Sequence, residues 1–353
     1  MSDARHLLSP ILALHDRIRT SILDAFGAQR HDDLASVAHD DEGDTIYGVD
    51  RVSEATLVEG LDDIARDEPI CLMAEGLPPD GLILPRGTRD EDCRWRFLVD
   101  PIDGTRGLMY QKRPAWILTG VAPNRGPATR LRDIVLAVQT EIPLLKQFLC
   151  DQLWAIRGEG ASGQRINRLT GHKISLTLRP SSKSTLAHGF ASVTRFFPGA
   201  RDVLAAMDDE IVAEVEGPAA AGKAACFEDQ YLSTGGQLFE LMAGHDRFIA
   251  DIRPVLIPIL AKRGLPRPLC CHPYDLCSAL IAEELGVRLT DADGKVLDAP
   301  FDLEADVSWV GYANDRLQAR VQPALLGALA RRGLGGAAVI SSETRDLHRF
   351  ADD

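Results

Sequence analysis

A chain of 353 residues, 45% apolar and 26% charged, has the length of two compact units and an ordinary globular composition, which excludes a disordered, collagen-like or disulfide-stapled scaffold. Thirty-nine Lys and Arg against 52 Asp and Glu give a formal charge of −13, a sign that repels phosphate backbones and argues against nucleic-acid binding. A small phosphorylated ligand stays open, because cations bound at a carboxylate cluster reverse the local sign.

Seven cysteines stand at 71, 93, 150, 226, 270, 271 and 277, an odd number with no C-x-x-C pair. No apolar run approaches the roughly 18–20 residues of a membrane span. Pro10, His15 and Asp16 interrupt the N-terminal apolar residues, so no signal peptide is read there. A cytoplasmic protein with reduced thiols and no membrane partner is expected.

Ser9 caps the first predicted helix, Pro10 suits its first turn, and Ile11, Leu14, Ile18, Ile22 and Phe26 recur at helical spacing. The polar run His39-Asp40-Asp41-Glu42-Gly43-Asp44 reads as a loop without the alternate ligands of a calcium loop. A second helix follows Asp50 and buries Leu57, Leu61 and Ile64. Strands are predicted over 70–74, 95–100, 116–122, 134–140, 153–157 and 174–178. Arg179-Pro180-Ser181-Ser182 marks a boundary between an N-terminal unit, 1–182, and a C-terminal unit, 183–353. Beyond it, helices near 202–214, 234–243, 274–285 and 315–332 alternate with strands. Residues 290–294 read as a hairpin turn between strands at 287–289 and 296–297. The chain has no repeat and no low-complexity tract, and is a mixed α and β protein in two layered halves.

The most informative residues are Asp100-Pro101-Ile102-Asp103-Gly104-Thr105, directly after a strand, where α/β folds place ligand sites. Pro101 stiffens the turn and Gly104 lets it close tightly. Two carboxylates three residues apart, with the Ile102 carbonyl between them, form a hard-oxygen site suited to Mg²⁺. Asp275 lies in the first turn of the 274–285 helix, where the helix dipole favours an anion.

This hexapeptide resembles the D-P-I-D-G-T signature of the inositol monophosphatase family, which includes fructose-1,6-bisphosphatases and bisphosphate nucleotidases. Three further elements follow the family's order: Asp50 before the second helix, Glu75 in Met73-Ala74-Glu75-Gly76, and Asp275 in Pro273-Tyr274-Asp275-Leu276-Cys277-Ser278-Ala279. The resemblance spans roughly residues 9–300 and implies an α+β fold, a layered α-β-α-β-α sandwich, and a homodimer. It implies a Mg²⁺-dependent phosphomonoesterase using two or three ions, with Mn²⁺ as a substitute, on a small phosphorylated metabolite. Glu75, Asp100 and the Ile102 carbonyl would hold one ion, and Asp100, Asp103 and Asp275 a second. Glu75 counts with Asp50 and Thr105 among the catalytic groups; the latter two would orient and deprotonate the attacking water. Backbone N–H groups of Gly104 and Thr105 would bind phosphate oxygens. Ser233-Thr234-Gly235-Gly236-Gln237 matches the family's G-[ST]-A-A helix start, which assigns Thr234 and Gly235 to the substrate pocket.

The chain departs from the pattern at Gly76, where relatives often have a second glutamate, and at Tyr274, where they have tryptophan. Gly158-Glu159-Gly160-Ala161-Ser162-Gly163 fits G-x-G-x-x-G literally, but polar residues follow instead of an apolar helix, and the resemblance places a hairpin turn here. Cys270, Cys271, His272 and Cys277 lack zinc-ligand spacing and read as buried thiols beside the site. Candidate substrates are inositol phosphate, a sugar bisphosphate, 3'-phosphoadenosine phosphate and histidinol phosphate; the rival is a catalytically silent, ligand-binding member. Inositol-specific relatives carry a glutamate seven residues before the late aspartate, where this chain has Pro268, so inositol phosphate is expected to be a poor substrate. Lys262, Arg263 and Arg267 either favour a second anionic group or are solvated.

Overall fold

The long central strands are buried on both faces, their side chains pointing alternately into two cores, and the molecule is built outward from that sheet. The computed structural model describes residues 4–28, 37–40, 45–218, 220–334 and 339–340, without the side chains of 27–28, 37–40, 45–52, 54 and 339–340. In chain order come α1 (Arg5–Ala28), β1 (Val37–Asp40), β2 (Thr45–Tyr47), α2 (Gly48–Ala65), β3 (Ile70–Ala74) and β4 (Leu82–Leu84). Then follow β5 (Trp95–Asp103), α3 (Thr105–Met109), β6 (Ala115–Pro123), β7 (Leu136–Ile142), β8 (Leu149–Ile156), β9 (Ala161–Asn167) and β10 (Lys173–Leu176). The remainder comprises β11 (Phe190–Val193), α4 (Arg201–Glu216), α5 (Thr234–Met242), β12 (Asp246–Asp251), α6 (Ile257–Lys262), α7 (Ala279–Glu284), β13 (Arg288–Thr290), β14 (Asp306–Val307), β15 (Trp309–Tyr312), α8 (Asp315–Arg331) and β16 (Val339–Ile340).

Eight strands form the first sheet in the order β10-β9-β8-β7-β6-β5-β3-β4, antiparallel except for the β3–β5 pair. Phe97, Val99, Ile117, Val121 and Val138 face α1 and α2, meeting Ile11, Ile18, Ile22, Leu57 and Leu61. The intervening residues Leu98, Trp116, Leu118, Ala137 and Leu153 face the other way, onto Leu238, Leu241, Leu280 and Ile281 of α5 and α7. Those helices also meet Ile249, Leu289 and Trp309 of a second sheet, ordered β11-β12-β15-β13. Its far face packs Phe248, Val310 and Tyr312 against Leu204, Met207 and Ile211 of α4 and Leu317, Val321 and Leu325 of α8. The result is the expected α-β-α-β-α sandwich, with α5 and α7 as its central layer.

Local expectations differ in four places. α1 starts at Arg5 rather than after Ser9, because buried Ala4 and Leu7 extend the apolar period upstream of Pro10. Of the supposed loop 39–44, residues 39 and 40 belong to β1, which pairs antiparallel with β2; residues 41–44 lie outside the described residues. The helix expected over 274–285 is a 3₁₀ turn, Pro273–Leu276, followed by the short α7, because the Asp275 side chain reaches back to the His272 amide and closes the first turn tightly. β13 ladders with β15, and only a single bridge, Thr290 to Val296, joins the two sides of the expected hairpin. Other predicted strands and helices shift by a few residues at their ends, the ordinary uncertainty of terminal turns.

The Gly158–Gly163 segment runs from the β8–β9 turn into β9, and the amides of Gly158 and Gly160 donate to the Glu284 carboxylate at 2.7 and 2.9 Å. Its amides thus hold an anion of the chain itself. All seven cysteines are free, and six are buried. Among the described residues no helix is long and apolar enough to cross a membrane.

Candidate metal centre

Asp100 and Asp103 are three apart, and in a regular strand they would point to opposite faces. The β5–β6 register prevents this: Asp100 pairs with Leu118 and Asp103 with Trp116, so three steps on one strand match two on the other. A bulge at Pro101-Ile102 therefore turns both carboxylates to the face shared with α5 and α7. Gly104 follows with φ +99°, a left-handed turn that caps α3, and a β-carbon there would come within 3.0 Å of the Ser233 Cβ. Asp100 Oδ1 accepts from the Ile102 amide at 2.9 Å, and the Thr105 hydroxyl donates to the Ile102 carbonyl at 2.9 Å.

Two neighbouring elements complete the group. β3 runs parallel to β5 and ends beside it, with the Glu75 amide donating to the Val99 carbonyl at 3.2 Å and the Glu75 side chain hydrogen-bonding Asp100. From the 3₁₀ turn, half-buried Asp275 brings its carboxylate to the other two aspartates; ligand oxygens of Asp100, Asp103 and Asp275 all lie within 4.8 Å of one another. The His272 amide, donating at 2.5 Å, fixes Asp275. Asp103 is fixed by the start of α5: it accepts from the Ser233 hydroxyl at 2.8 Å and from the amides of Thr234 and Gly235 at 3.2 and 2.5 Å. A β-carbon on Gly235 would lie 2.9 Å from the Asp103 oxygen and 2.7 Å from Leu118 Cδ2, so glycine allows this approach.

Burial, then the charges of Glu75, Asp103 and Asp275, push the Asp100 carboxyl well above the usual carboxylate range. Burial raises Asp103 to about 6 even though three hydrogen bonds favour its charged form. Closely packed carboxylate oxygens, with no nitrogen or sulfur donor in the cluster, suit a hard multivalent cation. The buried thiols of Cys271 and Cys277 lie close by but are pushed well above the usual range by burial, so they stay protonated and are poor metal ligands.

The structure therefore brings together Glu75, Asp100, the Ile102 carbonyl, Asp103, Gly104, Thr105 and Asp275. Thr234 and Gly235 also reach the site, but their amides bind Asp103, and the Thr234 hydroxyl faces Cys271 Sγ at 3.8 Å. Asp50 falls in the first turn of α2, and its side chain lies outside the described residues. The second-anion reading of the basic residues finds no support: Arg263 pairs with Asp202 at 2.8 Å through both nitrogens, Arg267 pairs with Asp306 at 2.6 Å, and Lys262 is exposed. Sequence reasoning placed Ser233 only in a helix start and missed its bond to Asp103. It also passed over Gln139, the first of three consecutive polar residues, Gln139-Thr140-Glu141, that are all buried in β7.

The chain matches no protein-family model, and no curated protein matches it significantly. Solved structures do match. Fructose-1,6-bisphosphatase of Leishmania major in holo form superposes on 94% of this chain and 96% of its own, with a TM-score of 0.66 at 13% identity. Extragenic suppressor protein SuhB of Bartonella henselae covers 91% of this chain and 98% of its own, with a TM-score of 0.61 at 16% identity. Inositol monophosphatase from Anabaena (Nostoc) sp. covers 94% and 97%, with a TM-score of 0.57 at 14% identity. At these identities the likeness is one of fold.

Proposed function

On a chain with the fold of the inositol monophosphatases and fructose-1,6-bisphosphatases, we propose a Mg²⁺-dependent phosphomonoesterase that hydrolyses a small phosphorylated metabolite. The observation that carries the reading is the convergence of Asp100, Asp103 and Asp275 within 4.8 Å, with Glu75 against Asp100. Their mutual repulsion and all-oxygen donor set fit a divalent cation. Glu75, Asp100, the Ile102 carbonyl, Asp103 and Asp275 would hold two or three Mg²⁺ ions, with Mn²⁺ able to replace them. A cation there acidifies water and neutralises charge developing on the phosphoryl oxygens.

The chain's own residues do the rest. Asp50 and Thr105 orient the attacking water and take its proton, and the amides of Gly104 and Thr105 receive phosphoryl oxygens. The Ser233, Thr234 and Gly235 donors keep Asp103 in its charged form. Near the late aspartate, Pro268 offers no side-chain acceptor and Arg267 is engaged by Asp306, which supports a substrate other than inositol phosphate.

The test is turnover of p-nitrophenyl phosphate by the full chain, with and without Mg²⁺ and after chelation. Hydrolysis that appears with Mg²⁺ and disappears with chelator is expected. Binding of phosphorylated metabolites without turnover would establish the silent reading instead.

A further inference from the structure

One buried amide joins the two late segments that supply the centre. Gln139 lies in β7 and is fully buried. Registers place it in a row across the sheet: Asp100 pairs with Leu118, and Leu118 pairs with Gln139. Directly paired residues share a face, so Gln139 projects from the same face as Asp100, two strands away.

Its carboxamide has both ends engaged. Nε2 donates to the Gly235 carbonyl at 2.8 Å, and Oε1 accepts from the Ser278 hydroxyl at 3.0 Å. The amide of Gly235 is a donor to Asp103, and Ser278 lies three residues after Asp275, at the start of α7. The sheet around Gln139 is shaped to receive both segments. A β-carbon on Gly235 would strike Leu118, and one on Gly120 would come within 2.6 Å of the Cys277 carbonyl. The backbones of α5 and of the Asp275 turn thus rest directly on β6, with one side chain latching the pair.

We propose that Gln139 is a positioning residue for the carboxylate cluster, its amide fixing Asp103 and Asp275 relative to each other and thereby setting affinity for a divalent cation. Neither Leu nor Glu can replace it. Leu leaves the Ser278 hydroxyl without its acceptor and the Gly235 carbonyl without this donor, and ionised Glu opposes the Gly235 carbonyl. The inference rests on the metal-site reading above, and the experiment separates the two.

Mn²⁺ binding to the metal-free full chain is measured by calorimetry, beside thermal midpoint and p-nitrophenyl phosphate kinetics. Gln139→Leu is expected to weaken Mn²⁺ binding at least tenfold and to raise the metal concentration for half-maximal turnover equally. KM for substrate at saturating metal should stay within twofold. Ser278→Ala, which cuts only one of the two bonds, should weaken Mn²⁺ two- to threefold, and adding it to Gln139→Leu should cost nothing further. Val138→Ala is the control: its neighbouring side chain packs on the opposite face, so it should lower the thermal midpoint while leaving Mn²⁺ affinity within twofold. If Gln139→Leu does not fold, Ser278→Ala against Val138→Ala still decides the matter. Mn²⁺ affinity that is unchanged in the Gln139 and Ser278 variants, or lowered as much by Val138→Ala, overturns the positioning role. Wild-type protein that binds no Mn²⁺ overturns the metal reading and the inference with it.

Discussion

Two buried carboxylate sites, one on each sheet, are completed differently. At the end of β12, Asp251 is fully buried and both its oxygens meet one guanidinium: Arg253 Nε donates at 2.8 Å and Nη2 at 2.5 Å. Arg253 also donates to the Leu269 carbonyl at 2.6 Å and lies 4.7 and 5.2 Å from the ring centroids of Phe196 and Phe197. At the end of β5, by contrast, Asp100 faces other carboxylates, and its charge is opposed by all of them. The first group is satisfied by the chain and serves the fold. The second gathers like charges, and a cation bound there, as proposed, would offset their repulsion.

The largest effect should come from breaking the satisfied pair. Asp251→Ala leaves the Arg253 cation buried without its partner and should cost about 3–5 kcal/mol in urea unfolding. Replacing both residues by apolar ones of similar volume should restore most of the loss. Equal damage from the single and double changes would refute this picture of the pair.

Asp100→Asn should act in the opposite sense on stability. Outer-sphere partners of metals already matter 10–100-fold, so removing a proposed ligand should lower turnover at least about a hundredfold. Relief of repulsion should raise the metal-free thermal midpoint at neutral pH, and Mg²⁺ should raise the midpoint of the wild type but not of the variant. A metal-free midpoint that falls on this substitution would show that the cluster is already compensated within the chain.

A third strategy, keeping a buried group neutral, sharpens the contrast through pH. His15 is fully buried between the hydroxyls of Thr140 and Thr119 at 2.9 and 2.8 Å, and burial, then Arg19, lowers its pKa to about 3. An unfolded chain binds that proton near its usual value of 6.5. Between pH 6.5 and 3 the unfolded state therefore holds more protons, so the His15 contribution is complete above 6.5 and is lost as pH falls. The loss approaches about 1.4 kcal/mol per pH unit within that window. Wild type minus His15→Gln stability, followed from pH 7 to 4, isolates it from carboxylates such as Glu141, whose raised value near 7 acts with the opposite sign. A flat difference would mean the imidazole does not stay neutral.

Legibility in the sequence followed how local each cause is. The D-P-I-D-G-T run could be read because its bulge, its stiff proline and its glycine turn are all encoded within six adjacent residues. Short apolar and β-branched runs likewise located most strands of the first sheet, whereas in the second sheet only β13 was placed. The donors to Asp103 come from 130 to 132 residues away, and such partners leave no local pattern.

The thiols give the molecule a reporter that needs no added probe. Six of the seven are buried, burial raises the Cys71 and Cys150 thiols to about 11, and it pushes Cys271 and Cys277 well above the usual thiol range. A thiol held in that state reacts with an alkylating reagent only when its surroundings open, so labelling rates read local opening cysteine by cysteine. Cys277 sits under the carboxylates and Cys150 on a distant strand of the same sheet. A cation that tightens the centre alone slows the first clock and leaves the second running at its former rate.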